Sequence, residues 1–271
     1  MSVRLAPIDA AIRFVEEYFP ACEAALLAGS SIQGRATATS DLDLVLFDES
    51  QPGPFRQTFV AYDWVIEAFV LTRATYRYFF DEGIDSAIPS LQRMCAEGQL
   101  LRGGELVSDI VEEARAELLA GPPTWSREEV NKGRYEIGEA LEDLTGCDQR
   151  EEGLFIVHKL AGLLAEFKLR TSGCWLGDGK WLHRCLQRCD AVWSAQLTEA
   201  LEAYYRRDDA APLGLLSAQL LAPFGGFLVH GYAEGTGVFD AAEGEAAEGF
   251  GDASAAALGL GGLLGEARGD A

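Results

Sequence analysis

The stretch from Ala25 to Phe47, ALLAGSSIQGRATATSDLDLVLF, constrains the fold more than any other part of the chain. A short apolar run from Ala24 to Ala28 reads as a strand that stops at Gly29-Ser30. A polar segment carrying Gly34 and Arg35 follows, and Ser40-Asp41-Leu42-Asp43 opens a second apolar run. Side chains alternate across a strand, so Asp41 and Asp43 share one face while Leu42, Leu44 and Leu46 take the other. Two carboxylates ~4 Å apart in an effective dielectric of ~20 repel by about 4 kcal/mol, which disfavours the pair unless a cation sits between them. Hard oxygen donors of this kind suit Mg²⁺, which binds one or two protein carboxylates and completes its shell with substrate phosphates. The expectation is a site for a metal-bound nucleoside triphosphate.

A third acid stands out downstream. Trp64-Val65-Ile66-Glu67-Ala68-Phe69-Val70 places one carboxylate inside an apolar strand. An unpaired buried carboxylate costs several kcal/mol, so Glu67 must meet a cation or a donor. Sites that hold two metal ions for phosphoryl transfer need more than two carboxylates, and Glu67 is the natural third ligand. Asp63, four residues earlier, competes for that role on a regular strand; Glu67 is preferred because apolar residues flank it on both sides.

These residues carry a family resemblance. Gly29-Ser30, the spacer, and Ser40-Asp41-Leu42-Asp43 followed by Leu-Val-Leu-Phe resemble the signature of the DNA-polymerase-beta-like nucleotidyltransferase superfamily. The bland alternative is a glycine turn and an edge strand with a solvated acidic face. The resemblance implies a nucleotidyltransferase domain with a mixed β-sheet and flanking helices over residues 1–122, followed by a helical domain over 123–234. That helical half is similar to the carboxy-terminal domain of the kanamycin-nucleotidyltransferase type, so the expected fold class is α+β. The resemblance further implies two Mg²⁺ ions on Asp41, Asp43 and Glu67. ATP or another nucleoside triphosphate is the implied co-substrate, held by Gly29, Ser30 and Ser40. Arg35, directly after Gly34, could reach a phosphate, and a solvated loop arginine is an equally good reading. The reaction would move a nucleoside monophosphate to a hydroxyl of a small acceptor, an aminoglycoside among the options, and release pyrophosphate. Transfer to a protein or RNA, as in antitoxin-like relatives, and nucleotide sensing without turnover are the alternatives. Relatives draw a general base from the helical half, where Glu128, Glu129, Glu136, Glu139, Glu142 and Asp143 stay open.

Composition narrows the partners. The 271-residue chain has 43 acidic and 22 basic residues, a net charge of −21. That acidity repels nucleic acid and would attract a small polycation. No basic-then-apolar leader opens the sequence and no run nears the ~18 apolar residues of a membrane span, so the expectation is a cytoplasmic protein without membrane contact. A homodimer stays open. Scattered cysteines in a chain of this size do not resemble a secreted disulfide framework.

Along the chain, Pro7-Ile8-Asp9 starts a helix with Ile12, Val15 and Phe19 at helical spacing. Phe55 to Leu71 reads as strand, either one or two with a break near Tyr62. Arg73, Arg77, Asp81, Glu82 and Asp85 look like a solvated helix face. Leu100 to Arg102 reads as a last strand, and Glu105 to Leu119 as a helix. Gly121-Pro122-Pro123 marks the domain boundary. Ser126-Arg127-Glu128-Glu129 matches a capping box, and Glu151 to Arg170 is apolar enough to be a central helix, with His158 as a core histidine. Further helices are expected near Lys180 to Arg188, Asp190 to Arg206 and Pro212 to Leu221. Residues 235–271 are Gly, Ala and acid, a composition that reads as a disordered tail. Cys174, His183, Cys185 and Cys189 match no common zinc spacing. Gly177-Asp178-Gly179-Lys180 lacks the first glycine and the hydroxyl residue of a P-loop and is set aside.

Overall fold

Apolar residues on both faces of the first two strands require a layer of helices on each side of the sheet. The computed structural model has that arrangement. It describes residues 4–32 and 39–235; Gly34, Arg35 and the segment 236–271, including the expected tail, lie outside the described residues. The element order is α1 (Pro7–Tyr18), β1 (Ala24–Ala28), β2 (Leu42–Phe47), β3 (Phe55–Ala61), β4 (Trp64–Leu71), α2 (Tyr76–Asp85), α3 (Ser90–Glu97), β5 (Gln99–Arg102) and α4 (Gly104–Ala120). Helices α5 (Arg127–Gly146), α6 (Arg150–Thr171), α7 (Lys180–Cys189), α8 (Ala191–Arg207) and α9 (Ala211–Leu221) follow. The fold is α+β: a mixed five-stranded sheet with helices, then a helical region.

The sheet order is β3-β4-β2-β1-β5. Strands β2 and β4 run parallel, and the β1–β2, β1–β5 and β3–β4 pairs are antiparallel. Period-two alternation divides the core cleanly. Leu42, Leu44 and Leu46 of β2 and Trp64, Ile66, Ala68 and Val70 of β4 pack with Ala10, Ala11, Phe14 and Val15 of α1. On the opposite face Val45, Phe47 and Leu71 pack with Phe80 of α2, Leu91 and Cys95 of α3, and Val107, Ile110 and Ala114 of α4. Asp43 and Glu67 belong by parity to this second face. The break near Tyr62 is a two-residue hairpin turn in which Tyr62 and Asp63 both have positive φ, at 54° and 62°.

Two local expectations are corrected. Helix α1 turns Phe14 into the core, whereas Ile12 is 38% exposed; the apolar stripe is wide enough that spacing alone did not fix the buried edge. The charged residues Arg73, Arg77, Asp81, Glu82 and Asp85 are all exposed, as a solvated face requires, and the two arginines also form ion pairs. Arg77 pairs with Glu113 and, at 2.7 Å, with Glu117, while Arg73 pairs with Asp109, so these cations clamp α2 and the loop before it onto α4. In α6, Val157, Leu160, Leu164 and Phe167 are buried, but Phe155 is 80% exposed. His158 lies on that exposed side and is not a core histidine.

The chain divides into two compact units. One holds the described residues up to Thr124 together with Gly173–Cys185; the other holds Trp125–Ser172 and the residues from Leu186 onward. The segment 173–185, which lies among the helices of the second half in sequence, therefore packs with the sheet unit. The Trp175 indole N–H donates to the Leu118 carbonyl at 2.9 Å and the Leu176 N–H to the Ala87 carbonyl at 2.8 Å, which fastens it there. In the second unit the capping box at α5 is formed: Glu129 N–H donates to Ser126 Oγ at 3.2 Å and Ser126 N–H to the Glu129 carboxylate at 2.6 Å. Replacing Ser126 by Ala should lower the unfolding free energy measured in urea by about 1 kcal/mol, because the orphan N–H of the first turn loses its acceptor. No change in the urea midpoint would contradict the cap's contribution.

Candidate metal centre and its pocket

Parallel pairing of β2 with β4 sets the centre. The register puts Asp43 beside Glu67, and the neighbouring pairs Leu42–Ile66 and Leu44–Ala68 point into the other core. Asp41 precedes β2 by one residue and falls on the same side as Asp43. Asp41, Asp43 and Glu67 each offer a carboxylate oxygen within 4.8 Å of the others, and this is the one such cluster of His, Cys, Asp and Glu among the described residues. Asp63 sits in the hairpin turn outside it, and Cys174, His183, Cys185 and Cys189 form no comparable group.

Gly29 makes the centre possible. Its φ is +80°, in the left-handed region that a side chain disfavours, and a Cβ built on it would overlap the Asp43 carboxylate. The glycine thus closes β1 and leaves room for the acid. Ser30 is buried, with its Oγ 3.5 Å from Ser40 Oγ, so the two ends of the polar segment approach each other. The described part of the segment after Ser30 is a turn through Ile32; Arg35 lies outside the described residues.

Electrostatics favours a bound cation. Burial, reinforced by the nearby charges of Asp41 and then Glu67, pushes the Asp43 carboxyl up from its ordinary 3.8 to about 6. Arg56 and Lys180 act in the opposite direction and do not cancel the rise. Arg56 donates to Glu67 at 2.6 Å, its guanidinium also lying over the Phe69 ring. The hairpin register pairs Thr58 with Glu67, which puts Arg56 one diagonal step away on the same face. An all-oxygen donor set that retains excess negative charge after one arginine has paired fits a hard divalent ion.

Asp43 opens into a pocket of about 310 Å³ lined also by Gly29, Arg56, Phe69, Arg93, Glu97 and Trp181, among others. Every lining residue belongs to the sheet unit, because Gly177 and Trp181 arrive on the 173–185 segment. Arg93 and Arg184 lie over the Trp181 ring at 5.9 and 4.5 Å from its centre. Three bases bear on the site: Arg56 and Arg93 line the pocket beside the acids Asp43 and Glu97, and Lys180 acts on the Asp43 carboxyl by its charge. Sequence reasoning missed all three and Trp181. The hairpin register was a usable signal for Arg56. The return of the Gly177–Lys180 turn to this pocket, after that turn had been rejected as a P-loop, left none.

The chemistry yields two expected outcomes. Folding raises the Asp43 pKa, so its contribution to stability is complete below about 3.8 and is lost as pH rises through about 6. The loss amounts to about 3 kcal/mol. Asp43→Asn should therefore be the more stable protein in chelator at pH 8, with the difference vanishing near pH 4 in urea titrations; equal stabilities at pH 8 would contradict the burial argument. Mg²⁺ or Mn²⁺ should bind wild type with an affinity that rises about tenfold per pH unit below 6 and levels above it, since the ion must displace one proton. Calorimetric titration at several pH values checks this, and a flat profile would place the ion elsewhere.

No family model matches the chain, and no curated protein matches it. Among solved structures the chain is similar to a nucleotidyltransferase-like protein from Exiguobacterium sibiricum 255-15, with a TM-score of 0.42 and 12% identity over 80% of this chain and 74% of that one.

Proposed function

We propose that the protein is a metal-dependent nucleotidyltransferase that moves a nucleoside monophosphate, AMP from ATP, to a hydroxyl of a small acceptor. The observation that carries this reading is the cluster of Asp41, Asp43 and Glu67 beside the Gly29 turn, with Gly29 and Asp43 lining a pocket that Arg56 and Arg93 also line. Arg56 pairs with Glu67, but three clustered carboxylates carry more negative charge than that one pairing neutralises. They suit a phosphate-bound divalent ion, and the two-ion form is the one proposed. When bound, Mg²⁺ supplies Lewis acidity that polarises the α-phosphate and acidifies the acceptor hydroxyl.

The chain's own residues bind and align. Backbone N–H groups of the Gly29 turn, with the Ser30 and Ser40 hydroxyls, hold the phosphates of the leaving group, and Arg93 and Lys180 balance their charge. Arg35 is assigned to the same phosphates. Trp181 offers a face on which the base stacks. In the transfer the acceptor oxygen attacks the α-phosphorus, and the bond from that phosphorus to the bridging oxygen breaks. Pyrophosphate leaves with the electron pair, and the hydroxyl proton passes to a base or to water. The likeness of the helical half to the kanamycin-nucleotidyltransferase type supports a small-molecule acceptor and rests on sequence resemblance alone.

Incubation with α-³²P-labelled ATP, Mg²⁺ and a panel of hydroxyl compounds tests the reading. Label should move to an acceptor with stoichiometric pyrophosphate. Glu67→Ala should reduce the rate on the order of 10³-fold, the several kcal/mol that a metal ligand supports. Undiminished transfer by Glu67→Ala would remove the centre from the reaction; label on protein or RNA would redirect the acceptor.

A further inference from the structure

A second cavity adjoins the first. It measures about 470 Å³, lies wholly in the sheet unit, and is walled by Phe55, Phe69, Leu71, Phe79, Leu91 and Met94. Its charged lining is one base and one acid, Arg56 and Glu82. Arg56 and Phe69 are shared with the Asp43 pocket, as are Ile88, Ser90 and Met94. Phe69 lies two residues beyond Glu67 on the same face of β4, and Arg56 is ion-paired with Glu67. A molecule seated among the phenyl rings therefore meets Arg56 and Phe69, which also border the Asp43 pocket, and Arg56 is the partner of Glu67.

From this placement we infer that the second cavity is the acceptor subsite, and that the acceptor is an uncharged alcohol bearing an aromatic or comparably flat apolar ring. The inference rests on the nucleotidyl-transfer reading and names the substrate class for it. Three observations on the molecule select this occupant. The volume is that of a small-molecule site, and a lining of rings and aliphatic side chains with few polar groups selects an apolar body. One acid balanced by one arginine gives no attraction for a polycation, so the aminoglycoside expectation, which drew on net charge, finds no support in this cavity. The nucleobase has its own platform, because Trp181 lies in the same pocket as Arg93 and Asp43. The ring of the acceptor would rest on Phe55, Phe69 and Phe79, and its hydroxyl would extend past Arg56 to the acids. Transfer then proceeds with the atom balance given above: the new bond joins that oxygen to the α-phosphorus, and pyrophosphate carries away the old one.

The test uses the full chain and 2-(4-fluorophenyl)ethanol observed by ¹⁹F NMR, with MgATP binding followed separately by thermal shift. The probe should bind wild type saturably. Ser86→Trp, which fills the mouth of this cavity from an exposed position, should weaken the probe at least tenfold and leave the MgATP shift unchanged, which also shows that the variant is folded. Phe79→Ala should weaken the probe as well by removing a ring. Absence of binding to wild type, or equal affinity in both variants, would overturn the inference. So would competition between adenosine and the probe, since the cavity would then be the base site, or transfer of label from α-³²P-labelled ATP to kanamycin but to no aryl alcohol. A wild-type protein that binds the probe yet shows no MgATP shift would overturn nucleotidyl transfer while retaining the cavity's preference for aryl rings.

Discussion

Repulsion among three carboxylates is the constraint on which the rest of the sheet unit depends. A parallel pair of strands brings Asp43 and Glu67 abreast, and Asp41 completes the group from the loop entering β2. Nothing in the packing of that face requires charge, since Val45, Phe47 and Leu71 a few residues further along the same face are buried against α2, α3 and α4. The acids are therefore held together against their own electrostatics by a scaffold whose stability comes from elsewhere. That scaffold is the sheet with helices on both faces, which buries apolar side chains continuously and fixes the register. A slip of one residue in β4 would exchange Glu67 for Ile66 or Ala68 and dissolve the centre.

Around this unfavourable group the molecule gathers its scarce positive charge. Arg56 reaches Glu67 from the hairpin partner strand, Lys180 bears on Asp43 from the start of α7, and Arg93 joins them from α3. These cations leave Asp43 with a raised pKa, so the balance is incomplete. Arg77 and Arg73, by contrast, pair with acids of α4 in ordinary ways, as Arg77 does with Glu117. The contrast separates a structural clamp, where each cation finds its partner, from a centre in which negative charge is left over for an ion.

The strands that carry the acid cluster were legible in the sequence, for a physical reason. Strand periodicity, the Gly29 stop and the Asp41-Leu42-Asp43 alternation are local, and local geometry determines which way those side chains face. Glu67 was legible because a carboxylate in an apolar strand has few bland explanations. The capping box at Ser126 was equally local. What stayed hidden was tertiary. Trp181 reaches the pocket, and the charge of Lys180 reaches Asp43, because residues 173–185 fold back onto the sheet unit, held by hydrogen bonds such as Trp175 to Leu118, and no spacing in the sequence encodes that return. His158 and Ile12 were misread because a wide apolar stripe leaves its own edges undefined. The apolar cavity beside the centre is assembled from β3, β4, α2 and α3, too many separate elements for composition to reveal it.

Crystals of the protein soaked in Mn²⁺ and measured for anomalous scattering address the central claim most directly. The account predicts a strong peak bonded to oxygens of Asp41, Asp43 and Glu67. An anomalous map with its peaks only at other sites, or with none and the Arg56–Glu67 pair undisturbed, would contradict it.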